Sequence, residues 1–285
     1  MLQKNFYFLA RRFVAGETID SAMAAVRVLN EAGMSASLDF LGEDVLERGA
    51  ALHTRDVYVE MLDAIAASGV NSNVSVKLTA MGLLVDEDLA LTNLLAILER
   101  AARNPDPFVR IDMEGSSVLE ATLRVFNRAF AEHKNVGIVL QAYLKRTPAD
   151  VNRAIELRAR VRLCKGAYNE PPEIAYKSMP EIRTQYLDLA RELLERGTYP
   201  GIATHDRRLI SAVKEFASER SIARERFEFQ MLYGCRPQVQ RELVAQGYRL
   251  RIYVPFGTHW AGYFYRRVLE RRENALFALS SIFSS

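Results

Sequence analysis

Phe108-Val109-Arg110-Ile111-Asp112 is the stretch on which the fold turns. Val109 and Ile111 alternate with Arg110 and Asp112, the two-residue period of a β-strand with one apolar and one charged face. Two further runs repeat the pattern. In Val74-Ser75-Val76-Lys77 the valines alternate with Ser75 and Lys77, and in Arg249-Leu250-Arg251-Ile252-Tyr253 the aliphatic residues alternate with Arg and Tyr. The apolar face of each packs on helices, and the other carries polar groups toward the strand's C-terminal end. Charges so enclosed must be paired, so opposite signs are expected to meet across a shared mouth.

Strand-like runs of this kind recur at 36–41, 74–78, 108–113, 136–141, 161–165, 201–204, 227–231 and 249–254. Amphipathic stretches separate them, among them 86–103, 117–132, 180–196, 207–219 and 238–246, and an opening helix is expected over 18–32 with Thr18 as its cap. Eight strands alternating with helices specify a parallel sheet. A chain of 285 residues suits closure into a (βα)8 barrel of about 250 residues. Neither GxGxxG nor GxxxxGK[ST] occurs, which lowers the open-sheet alternative. The expected fold class is therefore α/β, a (βα)8 TIM barrel with an N-terminal helical extension. Residues 1–35 are expected to form the helical segment and residues 36–285 the barrel, in one domain overall.

Composition narrows function by exclusion. The net charge of +3 is mild, and no basic tail, zinc finger or RNA-binding motif occurs, so nucleic acid is not an expected partner. Two cysteines, Cys164 and Cys235, make no disulfide framework. A reducing cytoplasmic setting is the default. No apolar run reaches the roughly 18 residues of a spanning helix. The segment from Met1 to Ala15 reads as a helix lying against a neighbouring surface rather than as a signal peptide. His53, His133, His205 and His259 show no metal-ligand spacing, so no metal site is expected. Asp112 and Glu114 lie on one strand edge and would not flank a glycosidic bond.

The strand ends hold Asp39, Glu43, Lys77, Asp112, Glu114, Gln141, Arg162, Lys165, Thr204, His205, Gln230 and Tyr253. Lys77 reads in three ways: half of an ion pair with Asp112 or Glu114, a holder of a substrate carboxylate, or a Schiff-base nucleophile. Arg162-Leu163-Cys164-Lys165-Gly166-Ala167-Tyr168 sets two cations, two small residues and an aromatic ring at a strand end, a cradle for an anion or a flavin. Near the C-terminus, Tyr263, Arg266, Arg267 and Glu270 share one helical face at i, i+3, i+4 and i+7. A guanidinium pair there suits a carboxylate. A solvated surface helix and, for the whole chain, a Schiff-base aldolase or a barrel that only binds a ligand stay open on these residues alone.

In one order the chain carries LGE at 41–43, SVKLT at 75–79, VRIDMEGS at 109–116, VLQAYLKRT at 139–147, RLCKGAY at 162–168, ATHD at 203–206, FEFQMLYG at 227–234, RIYVPFGTHW at 251–260 and YFYRRVLERREN at 263–274. In this series the chain resembles the FAD-dependent proline dehydrogenases, particularly the short monofunctional bacterial type, over about residues 38–277. The resemblance implies a distorted (βα)8 TIM barrel that is catalytic. It implies oxidation of L-proline to Δ1-pyrroline-5-carboxylate, with FAD at the barrel mouth and a quinone as electron acceptor. Implied partners also include transient contacts with the pyrroline-5-carboxylate dehydrogenase and with the inner face of the membrane. By motif match, Lys77, Arg266 and Arg267 bind the proline carboxylate, and Tyr168, Leu232, Tyr253 and Tyr263 wall the ring. Asp112 is the catalytic aspartate and orients Lys77 or the cationic cluster. Arg162 lies beside the flavin N5, and Glu43 is a gate that pairs with Arg266. Met113, Gln141, Lys165, Gly166, Ala167, Thr204, His205 and Glu270 match flavin-contact positions. The chain departs from the family at Cys164, expected to pack as a small hydrophobe, and at Asn169.

Overall fold

Strands that are apolar on one face and charged on the other can satisfy both only if the apolar face meets helices and the charged face meets itself. The computed structural model, which describes residues 10–264, does this by closing the sheet. The strands are β1 (Ser35–Phe40), β2 (Ser72–Val76), β3 (Val109–Ile111), β4 (Val136–Gln141), β5 (Arg160–Cys164), β6 (Gly201–Ala203), β7 (Glu228–Leu232) and β8 (Leu250–Phe256). All pair in parallel in sequence order, and β8 returns to β1 with Ser35 opposite Arg251 and Phe40 opposite Phe256. The result is a (βα)8 barrel.

Helix α1 (Ile19–Glu31) precedes β1. The helices α2 (Arg48–Ser68), α3 (Glu87–Ala101), α4 (Ser116–Glu132), α5 (Thr147–Glu156), α6 (Met179–Arg196), α7 (Arg207–Glu219) and α8 (Pro237–Ala245) follow β1 to β7 in turn. Their starts are chemically marked. Thr18 caps α1 in a reciprocal capping box with Ser21. Asp86, Ser178 and Asp206 accept from the first-turn amides of α3, α6 and α7. Gly69 closes α2 in the left-handed conformation that glycine adopts without a Cβ clash. Helices α2 and α5 fill stretches where the sequence names none.

Helix α1 packs against β1, β8 and α2, with Ala22, Met23, Val26 and Leu29 buried. It takes the place in the helical ring between the last strand and the first. The chain ahead of it, Phe13 and Val14, packs with Leu41, Trp260 and Tyr263 in a second apolar cluster. Ala15 N–H donates to the Pro255 carbonyl at 2.9 Å, and Gly257 N–H to the Gly16 carbonyl at 3.0 Å. Trp260 to Phe264 are helical, so the helix after β8 begins three residues ahead of Tyr263.

Val74, Val76, Val109, Ile111, Val161, Leu163, Ile202, Phe229, Ile252 and Val254 are buried between sheet and helices. Their alternates point into the barrel, and there the lining is polar: Ser37, Asp39, Ser75, Arg110, Arg162, Glu228 and Gln230 are all buried. A barrel interior is more often filled by branched apolar side chains. This one is held by hydrogen bonds.

Candidate active site

At the C-terminal mouth, Lys77 directly follows β2. Its ammonium lies 3.0 Å from both carboxylate oxygens of Asp39, 3.3 Å from the Tyr253 hydroxyl and 3.9 Å from Asp112 Oδ2. The closest partner is thus Asp39 on β1; the pairing with Asp112 expected from the sequence is also present, at 3.9 Å. By register Lys77 stands level with Asp112, and Asp39 stands beside Ser75, one inward position earlier on β2, so the ammonium reaches back along the barrel to meet Asp39. Asp39 is wholly buried and is steadied by Tyr58, whose hydroxyl donates to the Ser75 carbonyl at 2.7 Å and stands 3.4 Å from Asp39 Oδ1. Burial works against the Lys77 ammonium, but the charges of Asp39 and Asp112 outweigh it and hold its pKa above the ordinary lysine value. A lysine so held is a poor Schiff-base nucleophile, which needs the neutral amine.

Asp112 follows β3 and joins two neighbours. Its Oδ1 accepts from Arg162 Nη1 at 2.8 Å, and its Oδ2 accepts from the Tyr253 hydroxyl at 2.7 Å. The Arg162 guanidinium crosses the barrel to Ser75 Oγ at 3.0 Å, donates through Nε to Gln230 Oε1, and stands 5.4 Å from the Tyr253 ring centre. Gln230 passes the contact on, donating to Glu228 Oε1 at 2.6 Å. Arg251 holds the same Glu228 oxygen at 2.8 Å. Asp39, Ser75, Gln230 and Glu228 therefore position the site. Asp39 and Gln230 stand among the polar strand ends of the sequence without an assigned role; their signal is the strand phase, which turns them inward.

The rim is tied down by Glu114. It accepts from the Thr79 amide at 3.1 Å and the Thr79 hydroxyl at 2.5 Å, and Thr79 Oγ1 in turn accepts from the Asp44 amide at 3.0 Å. This fixes the loop that carries Glu43, itself half-buried. Gln141 is buried and donates to the Glu114 carbonyl at 2.9 Å, and Met113 is buried beside it in the chain. Lys165, Gly166 and Tyr168 lie half-buried after β5, with Ala167 exposed. Gly166 has φ +116°, and a Cβ there would meet the Tyr143 ring at 2.2 Å, so both conformation and space demand glycine. Lys165 reaches Asp206 at 3.5 Å. Thr204 is buried, and His205 accepts from the Leu232 amide at 2.9 Å through Nε2. Tyr263 is buried at the start of the last helix. Arg266, Arg267 and Glu270 lie outside the described residues.

Two arcs result. The ends of β8, β1, β2 and β3 bear the Lys77–Asp39–Asp112–Tyr253 cluster. The ends of β4, β5 and β6, adjacent in the sheet, bear Gln141, Lys165, the small residues 166–167, Thr204 and His205. Arg162 joins the two arcs. Amide and cation donors beside small residues on an accessible arc fit a flavin with its negatively charged phosphates. Among the described residues no group of three or more His, Cys, Asp or Glu side chains could hold a metal ion. No described helix is long and apolar enough to cross a membrane.

Known proteins resemble this chain over nearly its whole length. The proline dehydrogenase family model matches residues 22–279. Proline dehydrogenase 1 of Bacillus subtilis (strain 168) is 42% identical over 273 residues, covering 96% of this chain and 90% of that protein. Proline dehydrogenase of Deinococcus radiodurans is 38% identical over 287 residues, covering 99% and 92%. Among solved structures, proline utilization A from Bdellovibrio bacteriovorus inactivated by N-propargylglycine superposes with a TM-score of 0.87 at 29% identity. That match takes in 94% of this chain and 33% of the other, so the chain spans about a third of that protein's length.

Proposed function

The chain belongs to the proline dehydrogenase family, and from that membership and the site we propose that it oxidises L-proline to Δ1-pyrroline-5-carboxylate with FAD, as a step of proline catabolism. The observation that carries the reading is the Lys77 cluster: a buried lysine kept charged by two carboxylates at the mouth of the barrel.

Lys77 receives the proline carboxylate. Of its contacts, the hydroxyl of Tyr253 at 3.3 Å is the longest hydrogen bond and is neutral. A substrate carboxylate displaces that acceptor while Asp39 keeps its hold. Arg266 and Arg267 complete the clamp, and Glu43 gates it by pairing with Arg266. Tyr168, Leu232, Tyr253 and Tyr263 enclose the pyrrolidine ring and exclude water. The ring nitrogen reacts in its neutral form. Asp112 orients both Arg162 and the Tyr253 hydroxyl, so one carboxylate aligns the cation of one arc with the wall of the other.

Gln141, Lys165, Gly166, Ala167, Thr204, His205 and Glu270 would hold FAD, with Met113 contributing its backbone and Arg162 supplying positive charge near N5. When bound, FAD supplies the hydride acceptor and hands the electrons on to a quinone. The reading places the protein in the cytoplasm, with transient contacts at the inner membrane face and with the dehydrogenase that consumes its product.

The test is the absorption spectrum of the pure protein under anaerobic conditions. A flavin band that bleaches on adding L-proline is expected. A band that L-proline leaves unchanged refutes the reaction, and a colourless protein that regains no band with added FAD refutes the cofactor.

A further inference from the structure

Helix α4 begins without a cap of its own. Gly115 stands at the N-cap position and has no side chain to offer the first-turn amides. The acceptor comes instead from Glu170, in the loop after β5. Its Oε1 accepts from the Ser116 amide at 2.7 Å, and its Oε2 from the Ser116 hydroxyl, across 54 residues of chain. Glu170 is buried. Among the described residues no lysine, arginine or histidine forms an ion pair with its carboxylate; the positive end of a 17-residue helix meets it.

The loop around Glu170 is fixed as well. Lys177 Nζ donates to the Glu170 carbonyl and, at 3.3 Å, to Asn169 Oδ1, which gives Asn169 a partner. Tyr176 N–H donates to the Tyr143 carbonyl at 2.8 Å. Two residues ahead of Glu170 lies Tyr168, whose carbonyl accepts from the Glu170 amide at 3.2 Å. The Tyr168 ring and the Glu170 carboxylate both lie against Gly115: a Cβ there would stand 3.9 Å from Tyr168 Cδ1 and 3.7 Å from Glu170 Oε1. Gly115 closes the short loop that starts at Asp112.

A serine or aspartate at position 115 would cap α4 locally. A cap sent from the loop after β5 does what a local one does not: it sets the distance between two loops of the mouth, passing over β4. One loop carries Asp112 and the other Tyr168. We propose, on the basis that Tyr168 walls the proline site, that Glu170 is a positioning residue for proline oxidation. It holds the Tyr168 ring at a fixed distance from the Lys77–Asp112 cluster. Glu170 touches neither substrate nor cofactor in this role; it acts through Tyr168.

Steady-state kinetics with L-proline on the flavin-loaded full chain test this. Glu170→Ala is expected to raise KM about tenfold, the effect of losing a charge-assisted bond, and to change kcat less than about threefold. Glu170→Gln, whose amide can accept from the Ser116 N–H and donate to the Ser116 hydroxyl oxygen, should bring KM back to within about twofold of wild type. In a Tyr168→Leu background, Glu170→Ala should raise KM no further. An unchanged KM in Glu170→Ala, no rescue by Gln, or KM effects that multiply in the double variant refutes the role, whatever the loss of stability to urea. If Glu170→Ala does not fold, Ser116→Ala, which keeps the amide bond, carries the same test: a rise in KM of about threefold is expected, and no rise refutes the role. A wild type inert toward L-proline overturns the proposed function instead, and hydrogen exchange then judges the clamp by itself. The amides of residues 170 and 176 should exchange about tenfold faster in Glu170→Ala than in wild type; equal exchange refutes the clamp.

Discussion

Replacing Asp39 by Asn leaves the Lys77 ammonium buried, with Asp112 at 3.9 Å as the nearest remaining carboxylate. The amide also turns an N–H toward a cation that had two oxygens at 3.0 Å. Removing one member of a buried pair typically costs about 3–5 kcal/mol, because the other charge stays behind. Asp112 recovers part of this, so a loss of about 3 kcal/mol is expected for Asp39→Asn. Lys77→Met strands the Asp39 carboxylate and is expected to cost about the same. The double variant Asp39→Asn/Lys77→Met holds neither charge and should lose only about 1–2 kcal/mol, from imperfect packing and the amide. Urea unfolding monitored by far-ultraviolet circular dichroism gives all four stabilities. The decisive result is the sign of the coupling: the double variant must be more stable than either single one. If the single costs add instead, to about 6 kcal/mol, Lys77 and Asp39 are not a mutually dependent pair and the account of Lys77 as a held cation is wrong.

Tyr253→Phe keeps the ring near Arg162 but removes the hydroxyl that links Lys77 to Asp112; a fall of about tenfold in kcat/KM for L-proline is expected from steady-state kinetics. Asp112→Asn keeps the shape but deprives Arg162 of its counter-charge, and should lower kcat by about a hundredfold while circular dichroism stays native. Burial raises the Glu228 pKa, but the Arg251 charge and the bonds from Arg251 and Gln230 bring it net below the ordinary carboxylate value. The unfolded chain then takes up this proton first, so the stability Glu228 confers is present above the ordinary value and is lost as pH falls toward the depressed one. Glu228→Gln should therefore cost about 3 kcal/mol at neutral pH, with the gap to wild type closing in acid, as urea titrations across pH would show. Burial pushes the Cys164 thiol up to about 12, so native protein at pH 8 should leave Cys164 unalkylated by iodoacetamide while urea-unfolded protein is labelled, by peptide mass spectrometry.

The sequence alone was enough to set the strand order, most of the helices between (α2 and α5 excepted), the closed barrel and the inward phase of Ser75, Lys77, Arg110 and Asp112, because those follow from residue period and length. It also named most of the inward charges, though not Glu228, since an alternating strand states which face each side chain takes. What it could not state is which charge meets which. That depends on side-chain reach inside the closed sheet: Val76 opposite Ile111 sets Lys77 level with Asp112, yet its ammonium lies nearer Asp39, a partner that spacing along the chain does not suggest. Arg162 finding Ser75, 87 residues away, and Arg110 and Arg160 sharing Phe108 across three strand starts are likewise consequences of closure. So is the seating of α1 between β8 and β1, which brings the first described residues against Trp260 and Tyr263. Period is a local property of the chain, whereas the pairing of buried charges is set by distance and desolvation, which exist only once the barrel is closed.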